Sequence, residues 1–421
     1  MKGPRAAIAV WLLTRAVLLL SVFSVFRLPG PDVTTDISVI YRGWYEVLSA
    51  GSYPLADVTW QYPPAAAYAV LSPGLLPFLD YAHAFFLLAF ASDAVAFGLL
   101  VRAGGRPGKC LSGAWVWIVG LPLLGPTAYA RYDVMVTAVA VAALLAGVRH
   151  PRTLGALAGL GALLKVWPVL LLAGTRRGRA TRRSWTAAAV SGAVVLGACA
   201  AAMPGALAFL TFQRDRGTEV ESLGALFFHV VRHLGWEGEA RLNYGSVEFL
   251  GPYVPVVSAL ALALTAGAFG WLLVWRLRAR EFGTTTLVDA AFVAVLLFVT
   301  TSRVISPQYL LWLVGLAAVC LVFRGSPMRP AARLVLVATG VTLLEFPIWF
   351  SHVVDSDPLG LLLLTVRNGL LVAASVSAGR VLWRRTVTEP RLREPVPVPA
   401  QPVRRADLTP AAPADEPATG R

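Results

Sequence analysis

Charged residues are scarce in this sequence. Only 14% of its 421 residues are Asp, Glu, Lys or Arg, whereas 57% are hydrophobic and the mean hydropathy is +0.66. A single water-soluble core cannot bury that much apolar surface, so the composition excludes an ordinary soluble globular protein. It predicts that lipid is the solvent for most of the chain.

Cysteine and histidine are also rare. The three cysteines, Cys110, Cys199 and Cys320, are scattered and lie mostly within apolar runs, which excludes a disulfide framework and a cysteine metal site. The five histidines do not recur at the spacing of a metal site. We therefore expect no bound metal and no cofactor.

Long apolar runs make up most of the chain. Runs of about 20 residues can cross a bilayer as helices, and unpaired strands cannot. The predicted fold class is therefore an all-α polytopic membrane protein. We expect the first run to be retained, because residues 21–27 offer no small-x-small cleavage site. The clearest runs are residues 6–26, 82–101, 184–203, 254–275 and 359–382.

The basic residues form short clusters between these apolar runs. A net charge of +14 arranged in this way is typical of cytoplasmic loops, so we predict no nucleic-acid partner. Assigning the clusters to the cytoplasm predicts a multi-pass cell membrane protein with both termini cytoplasmic. The clusters are Lys2/Arg5, Arg102/Arg106/Lys109, Arg149/Arg152, residues 176–183, 276–280 and 324–333, and Arg384/Arg385.

This topology limits how two of the apolar runs can lie in the membrane, and composition distinguishes a C-terminal tail from the membrane domain. Residues 63–79 are short and contain four prolines, so we expect them at the outer surface. Residues 154–174 begin and end between cytoplasmic clusters, which predicts a broken hairpin turning near Lys165 and Pro168. Residues 1–384 form the predicted membrane domain. Residues 385–421 are rich in proline and predict a disordered cytoplasmic tail.

Carboxylates and aromatic residues collect on the predicted outer face. Residues 36–51 carry apolar side chains at three- and four-residue spacing, which is typical of an amphipathic helix at the membrane interface. Asp36 begins this segment. A carboxylate there ordinarily caps the helix. Close to Tyr41, Trp44 and residues 60–64, it also suits a general base beside a sugar-binding aromatic patch.

Seven short motifs occur in an order that resembles glycosyltransferase family 87 of the GT-C superfamily. The similarity extends from the first predicted outer loop to about residue 350. The motifs are Asp36-Ile-Ser-Val-Ile-Tyr41, Gly51-Ser-Tyr-Pro54, Tyr62-Pro63-Pro64, Arg131-Tyr132-Asp133, Lys165-Val-Trp-Pro168, Arg216-Gly-Thr-Glu-Val-Glu-Ser222 and Ser306-Pro-Gln-Tyr-Leu-Leu-Trp312.

The resemblance implies a GT-C-type bundle of about 10–12 transmembrane helices with juxtamembrane helices on the outer face. It implies an inverting transfer of a hexose, mannose in this family, from a polyprenyl-phosphate donor to a glycolipid or glycan acceptor of the cell envelope. Membrane lipid is the other expected partner. Asp36 would be the general base, and Asp32 is its main competitor. The expected substrate-binding residues are Asp32, Tyr41, Tyr62, Arg131, Asp133, Lys165, Arg216, Glu221, Arg303 and Gln308.

Cations near the outer surface should hold the departing phosphate. Arg131, Arg216 and Arg303 are the candidates, because an arginine fork binds phosphate and carboxylate alike. The alternative is that they form ion pairs, Arg131 with Asp133 and Arg216 with Glu219 or Glu221. Lys165 lies in an apolar run and is either a structural counter-ion or a phosphate ligand.

Two features leave the function open. Some members of the family carry histidines where this chain has Pro307, Gln308 and Tyr309, so the acceptor and the sugar are uncertain. The intramembrane Asp93, Lys165 and Asp289 would also suit a transporter or flippase of a lipid-linked sugar. Such a protein should show internal repetition, which this sequence lacks. A purely structural scaffold gives no reason for the outer carboxylates and aromatics.

Overall fold

The computed structural model describes residues 3–210 and 216–389. The predicted tail lies outside the described residues from residue 390 onward. The helices are α1 (Pro4–Val22), α2 (Arg42–Ser49), α3 (Ala66–Leu71), α4 (Tyr81–Gly104), α5 (Ser112–Gly120), α6 (Asp133–Gly147), α7 (Pro151–Leu164), α8 (Arg179–Ala202), α9 (Ala225–Val231), α10 (Val254–Arg278), α11 (Thr286–Thr301), α12 (Tyr309–Leu321), α13 (Arg329–Leu343), α14 (Phe350–Asp355) and α15 (Pro358–Trp383).

Within the described residues, six helices are long and apolar enough to cross a membrane: α1, α4, α8, α10, α13 with the π-helical turn that follows it, and α15. An aspartate side chain caps the start of two of them. Asp80 accepts a hydrogen bond from the His83 amide at the start of α4, and Asp357 accepts one from the Gly360 amide at the start of α15. The predicted all-α polytopic membrane protein is confirmed.

Short, deeply buried helices occupy the centre of this bundle. Every residue of α12 except Tyr309 is buried, as are most residues of α11. The long helices α8 and α10 lie at the periphery and expose most of their apolar surface. Because α11 and α12 are surrounded by other helices rather than by water, they need no polar face.

The central helices are too short to cross a membrane. The 13 residues of α12 span about 20 Å and the 24 residues of α4 about 36 Å. The two helices are level at one end, since Lys109, just beyond α4, forms a β-bridge with Phe323, just beyond α12. The first residue of α12, Tyr309, therefore lies deeper in the bundle than the first residue of α4, Tyr81. We call the region above Tyr309, at the end of the bundle where α4 begins, the recess.

The chain turns back on itself between α7 and α8. Helix α7 ends at Leu164, Lys165 is extended, and a 3-10 turn over Trp167–Leu172 leads back to the start of α8. Gly155 approaches Ser184 and Gly159 approaches Ala188, so α7 and α8 run parallel. The predicted break near Lys165 and Pro168 is therefore confirmed.

A second interruption was not predicted. Residues 111–128 read as one apolar run, but α5 ends at Gly120 and a 3-10 turn follows over Pro122–Ala128. Pro122 and Pro126 explain the interruption, because neither can donate the backbone hydrogen bond that a continuing helix needs. Gly125 adopts a φ of 57° inside this turn.

Two long connections lie at the end of the bundle that carries the recess. The first follows α1 and contains a π-helical turn over Asp36–Tyr41, then α2 and α3. Residues 63–79 form only α3 and a short 3-10 turn, which agrees with the prediction that they do not span. The second connection precedes α10. It contains α9 and a small antiparallel sheet in the order β1 (Thr218–Glu219), β3 (Ser246–Leu250), β2 (Glu239–Asn243), which the sequence did not predict.

Candidate active site

The recess is centred on a buried ion pair between α6 and the break after α7. Lys165 donates to both oxygens of Asp133, at 2.7 and 2.9 Å, and Trp312 Nε1 donates to the same carboxylate at 2.6 Å. Asp133 is the first residue of α6, where the helix dipole also favours its negative charge. Lys165 is therefore compensated within the protein, as the counter-ion alternative expected.

Aromatic rings surround the Lys165 ammonium. Its Nζ lies 5.0–5.7 Å from the ring centroids of Tyr62, Tyr132, Tyr309 and Trp312. These distances suit cation–π attraction, which strengthens when the cation is desolvated. The rings also contact one another, since Tyr62 and Tyr132 meet edge to face at 5.2 Å. The break in the helix after Leu164 places Lys165 among these rings.

A second ion pair joins Asp36 to Arg131. It is more open than the first, since 32% of the Asp36 side chain and 14% of the Arg131 side chain are exposed. Arg131 and Asp133 are separated only by Tyr132, so one short segment connects both pairs. The alternative partner suggested by the sequence, Asp133 for Arg131, is wrong, because Lys165 and Trp312 already occupy that carboxylate.

Asp36 is not a helix cap. The N-cap position is Thr35, and no side-chain cap hydrogen bond is made there. Asp32, by contrast, accepts hydrogen bonds from the amide and hydroxyl of Thr34, at 2.9 and 2.6 Å, in an exposed turn. The capping interpretation of Asp36 is therefore wrong. Its carboxylate instead faces a cation at the edge of the recess.

Tyrosines line the region between Asp36 and Lys165. Tyr41 lies at the end of the same π-helical turn as Asp36, and its ring is 6.1 Å from that of Tyr132. Burial raises the pKa of Tyr62 to about 12, even though the nearby Arg131 opposes the shift. Its hydroxyl consequently stays protonated at neutral pH. Of these rings, Tyr62 is partly exposed and suits the carbon face of a sugar, whereas Tyr41 and Tyr132 are buried.

Residues of the small sheet hold Arg216 within electrostatic range of Tyr309. Arg216 Nε donates to Glu248 at 3.1 Å and Nη2 donates to Ser246 Oγ at 2.5 Å. The Gly217 amide and the Asn243 amide group also donate to Glu248, each at 3.0 Å. The partners suggested by the sequence, Glu219 or Glu221, are therefore wrong for this arginine. Only the folding of residues 239–250 into a hairpin brings Glu248 to it.

Glu219 is a site residue that the sequence did not single out. Ser306 Oγ donates to one of its oxygens at 2.9 Å, and the other oxygen has no hydrogen-bond partner among the described residues. Burial raises the pKa of this carboxyl, while the nearby Arg216 opposes the shift. Both Glu219 and Arg216 lie within electrostatic range of Tyr309. The motif containing Arg216 and Glu221 was the available signal.

Three predicted site residues lie elsewhere or contribute their backbone. The Glu221 carboxylate is 4.0 Å from Arg367 in a buried cluster with Glu345, so the structure does not bring it to the recess. The carbonyl of Arg303 accepts from the Glu219 amide at 3.1 Å. Gln308 directly precedes α12. Asp93, suggested for a transporter, accepts hydrogen bonds from Trp11, Arg15, Trp117 and Tyr129 in a buried structural cluster.

The recess therefore combines a partly exposed carboxylate, two arginines, a buried lysine and a tyrosine cluster of which Tyr62 and Tyr309 are partly exposed. The family model of glycosyltransferase family 87 matches residues 60–307, more than half of the chain. The chain belongs to glycosyltransferase family 87. The match includes Tyr62, Arg131, Asp133, Lys165 and Arg216, and begins after Asp36. This family 87 chain is therefore a glycosyltransferase by family. No curated protein and no solved structure matches it.

Proposed function

We propose that this glycosyltransferase moves a hexose, with mannose as the first candidate, from a polyprenyl-phosphate donor to a glycolipid or glycan acceptor on the outer face of the cell membrane. The observation that carries the proposal is the Asp36–Arg131 pair close to the partly exposed ring of Tyr62. It unites a proton acceptor, a phosphate-binding group and a sugar-binding surface in one place.

Arg131 is the cation best suited to receive the donor phosphate. Lys165 is committed to the buried Asp133, and Arg216 is committed to Glu248 and Ser246. Removing either cation from a buried carboxylate would leave a costly unpaired charge. The partner of Arg131 is Asp36, whose side chain is partly exposed. If Arg131 exchanges this carboxylate for the donor phosphate, neither Asp36 nor Arg131 is left as an unpaired charge in an apolar interior.

This exchange connects donor binding to catalysis. While the donor is absent, Arg131 holds the Asp36 carboxylate in place through their ion pair. A phosphate that draws the guanidinium away frees the carboxylate to accept a hydrogen bond from the acceptor hydroxyl. The arrangement uses one arginine for two successive partners.

The chemical step is a single displacement with inversion. The acceptor oxygen attacks the anomeric carbon and its proton passes to an Asp36 oxygen as the new C–O bond forms. The bond between the anomeric carbon and the phosphate oxygen breaks, and polyprenyl phosphate leaves with that electron pair. Arg131 stabilises the departing phosphate. No covalent enzyme intermediate is needed.

Recognition of the sugar is assigned to the partly exposed rings of Tyr62 and Tyr309, which can contact the carbon-bound hydrogens of a pyranose. A transporter or flippase of a lipid-linked sugar remains the competing function, and it requires movement of the lipid without formation of a glycosidic bond.

The deciding experiment uses the purified protein in lipid vesicles with labelled polyprenyl-phosphate hexoses and a panel of glycolipid acceptors. We expect glycoside formation. Asp36→Asn should lower kcat by about 10²–10⁴-fold, the range typical of a lost general base. Arg131→Gln should mainly raise KM for the donor. Asp32→Asn is the matched control and should retain most activity, because its carboxylate faces an exposed turn.

Two results would reject this assignment. Unchanged turnover in Asp36→Asn would remove Asp36 as the base, and a larger effect at Asp32 would transfer the role to it. Transbilayer movement of the labelled lipid, measured in the same vesicles without any glycosidic product, would favour the flippase instead.

A further inference from the structure

A cavity of about 680 Å³ opens at the end of the bundle opposite the recess. It lies between the start of α1, the end of α4, the loop before α5 and the turn after α12. Four basic side chains line it, Arg102, Arg106, Lys109 and Arg324, and among residues 3–210 and 216–389 no Asp or Glu does.

The positive charge of this cavity is not neutralised within the described part of the chain. None of the four basic side chains lies within salt-bridge distance of a carboxylate there. Lys109 shows the consequence: partial burial lowers its pKa, and the neighbouring charges of Arg106 and Arg149 lower it further. An anion placed in the cavity would offset this repulsion.

The basic groups are held on a defined framework rather than on a loose loop. Arg324 Nε donates to the Lys109 carbonyl at 2.8 Å, and the Cys110 amide donates to the Val322 carbonyl at 2.9 Å. The Lys109 ammonium lies 3.0 Å from the centroid of the Phe323 ring. A Cβ on Gly104 would lie only 2.8 Å from the Cys110 carbonyl oxygen, so the loop packs directly on the end of α4.

Apolar groups complete the lining. Pro4, Val101 and Leu111 contribute to the same cavity, which is open at the level where the helices end. Binding of a small inorganic anion would need only the four basic side chains. A phospholipid also needs apolar surface beside them for the glycerol and the first carbons of its acyl chains.

We propose that this cavity, formed by Arg102, Arg106, Lys109 and Arg324 around the ends of α1, α4 and α12, binds the phosphate of an anionic phospholipid headgroup. The site is distinct from the donor site, because about 20 Å of α12 separates it from Tyr309. A basic pocket among transmembrane helices on the face opposite the chemistry is suited to a lipid of the other leaflet.

The test compares lipids retained by the full-length protein in native mass spectrometry after exchange into detergent with phosphatidylglycerol or phosphatidylcholine. We expect preferential retention of phosphatidylglycerol. Arg106→Gln combined with Arg324→Gln should weaken it about 25-fold, since each basic residue near an anionic surface contributes about fivefold. The matched control is Arg182→Gln with Arg183→Gln, two exposed arginines at the start of α8 that do not line the cavity.

Melting temperatures measured with each lipid and with inorganic phosphate distinguish the source of the phosphate. Stabilisation by phosphatidylglycerol that requires Arg106 and Arg324 supports the headgroup. The same arginine-dependent shift produced by inorganic phosphate alone would overturn the lipid assignment in favour of a free anion. If the double variant folds poorly, Arg106→Lys should retain the preference while Arg106→Gln reduces it. Equal retention of both lipids, unaffected by either arginine, would overturn the proposal entirely.

Discussion

Single residues gain their roles here from the partner that tertiary structure supplies. Asp36 and Asp32 are chemically alike and four positions apart, yet one faces Arg131 and the other closes a turn with Thr34. Lys165 is likewise fixed by Asp133. Breaking such a buried pair by removing one member typically costs about 3–5 kcal/mol. Assays of Asp36 and Lys165 variants must therefore measure folding as well as activity.

His229 provides a prediction at the same scale. It is buried in the connection before α10, where its Nε2 donates to the Val220 carbonyl at 2.8 Å and Nδ1 accepts from Ser356 Oγ at 2.7 Å. Burial lowers its pKa to about 4, and the charges of Arg232 and His233 act in the same direction. The neutral ring is thus the folded form.

Because the unfolded chain takes up a proton at higher pH than the folded chain, stability should fall as pH decreases from about 6.5 towards 4. The loss at the low end approaches about 3 kcal/mol. Melting curves at pH 7 and pH 5 should show this for the wild type and a smaller change for His229→Gln. The exposed His150, changed to Gln, is the control. Equal pH dependence in the wild type and His229→Gln would contradict the interpretation.

At the scale of elements, interruptions position the site. The sequence predicted the break at Lys165 from the basic clusters on either side of the run, but gave no sign that Asp133 would meet it. The prolines at 122 and 126 were present in the sequence, yet the run around them was apolar enough to suggest one continuous helix. Composition reports how much apolar surface a segment has, whereas hydrogen bonding decides whether its helix continues.

The parallel packing of α7 on α8 offers a direct test of how the break is supported. A Cβ on Gly155 would lie 2.0 Å from the Ser184 carbonyl oxygen, and one on Gly159 would lie 2.4 Å from that of Ala188. Small residues at four-residue spacing permit this approach between membrane helices. Gly155→Ala and Gly159→Ala should each destabilise the protein by about 1–3 kcal/mol.

Gly192 on α8 is the matched control, because a Cβ there meets no atom within 4 Å. Gly192→Ala should be neutral or slightly stabilising. Thermal unfolding in one detergent measures all three variants. A Gly155→Ala protein as stable as Gly192→Ala would show that the two helices are not packed this closely.

At the scale of the whole molecule, the site depends on helices of unequal length. Long peripheral helices such as α4 set the thickness of the bundle, and short central helices such as α12 end below its surface. In the proposed function, a polar reaction can thus proceed beside apolar lipid, where the polyprenyl chain of the donor would reside. We propose that this recess faces outward, because the basic clusters expected in the cytoplasm lie at the opposite end.

Thiol labelling can test that orientation, because Cys110, Cys199 and Cys320 are all buried. A membrane-impermeant maleimide should therefore react little with the wild-type protein in intact cells. Glu237→Cys, exposed in the connection before α10, should be labelled in intact cells. Arg152→Cys, exposed at the start of α7, should be labelled only after permeabilisation. The reverse pattern would place the recess in the cytoplasm.

The sequence by itself determined the solvent, the fold class and the segments between which the chemistry must lie, because hydropathy and charge act locally along the chain. Tertiary structure alone decided that Arg131 faces Asp36, that Glu248 rather than Glu219 pairs with Arg216, and that Glu221 belongs to a buried cluster with Arg367. Ion pairs between distant segments depend on where helices end and which side chains are already satisfied. Those facts emerge only when the whole bundle has packed.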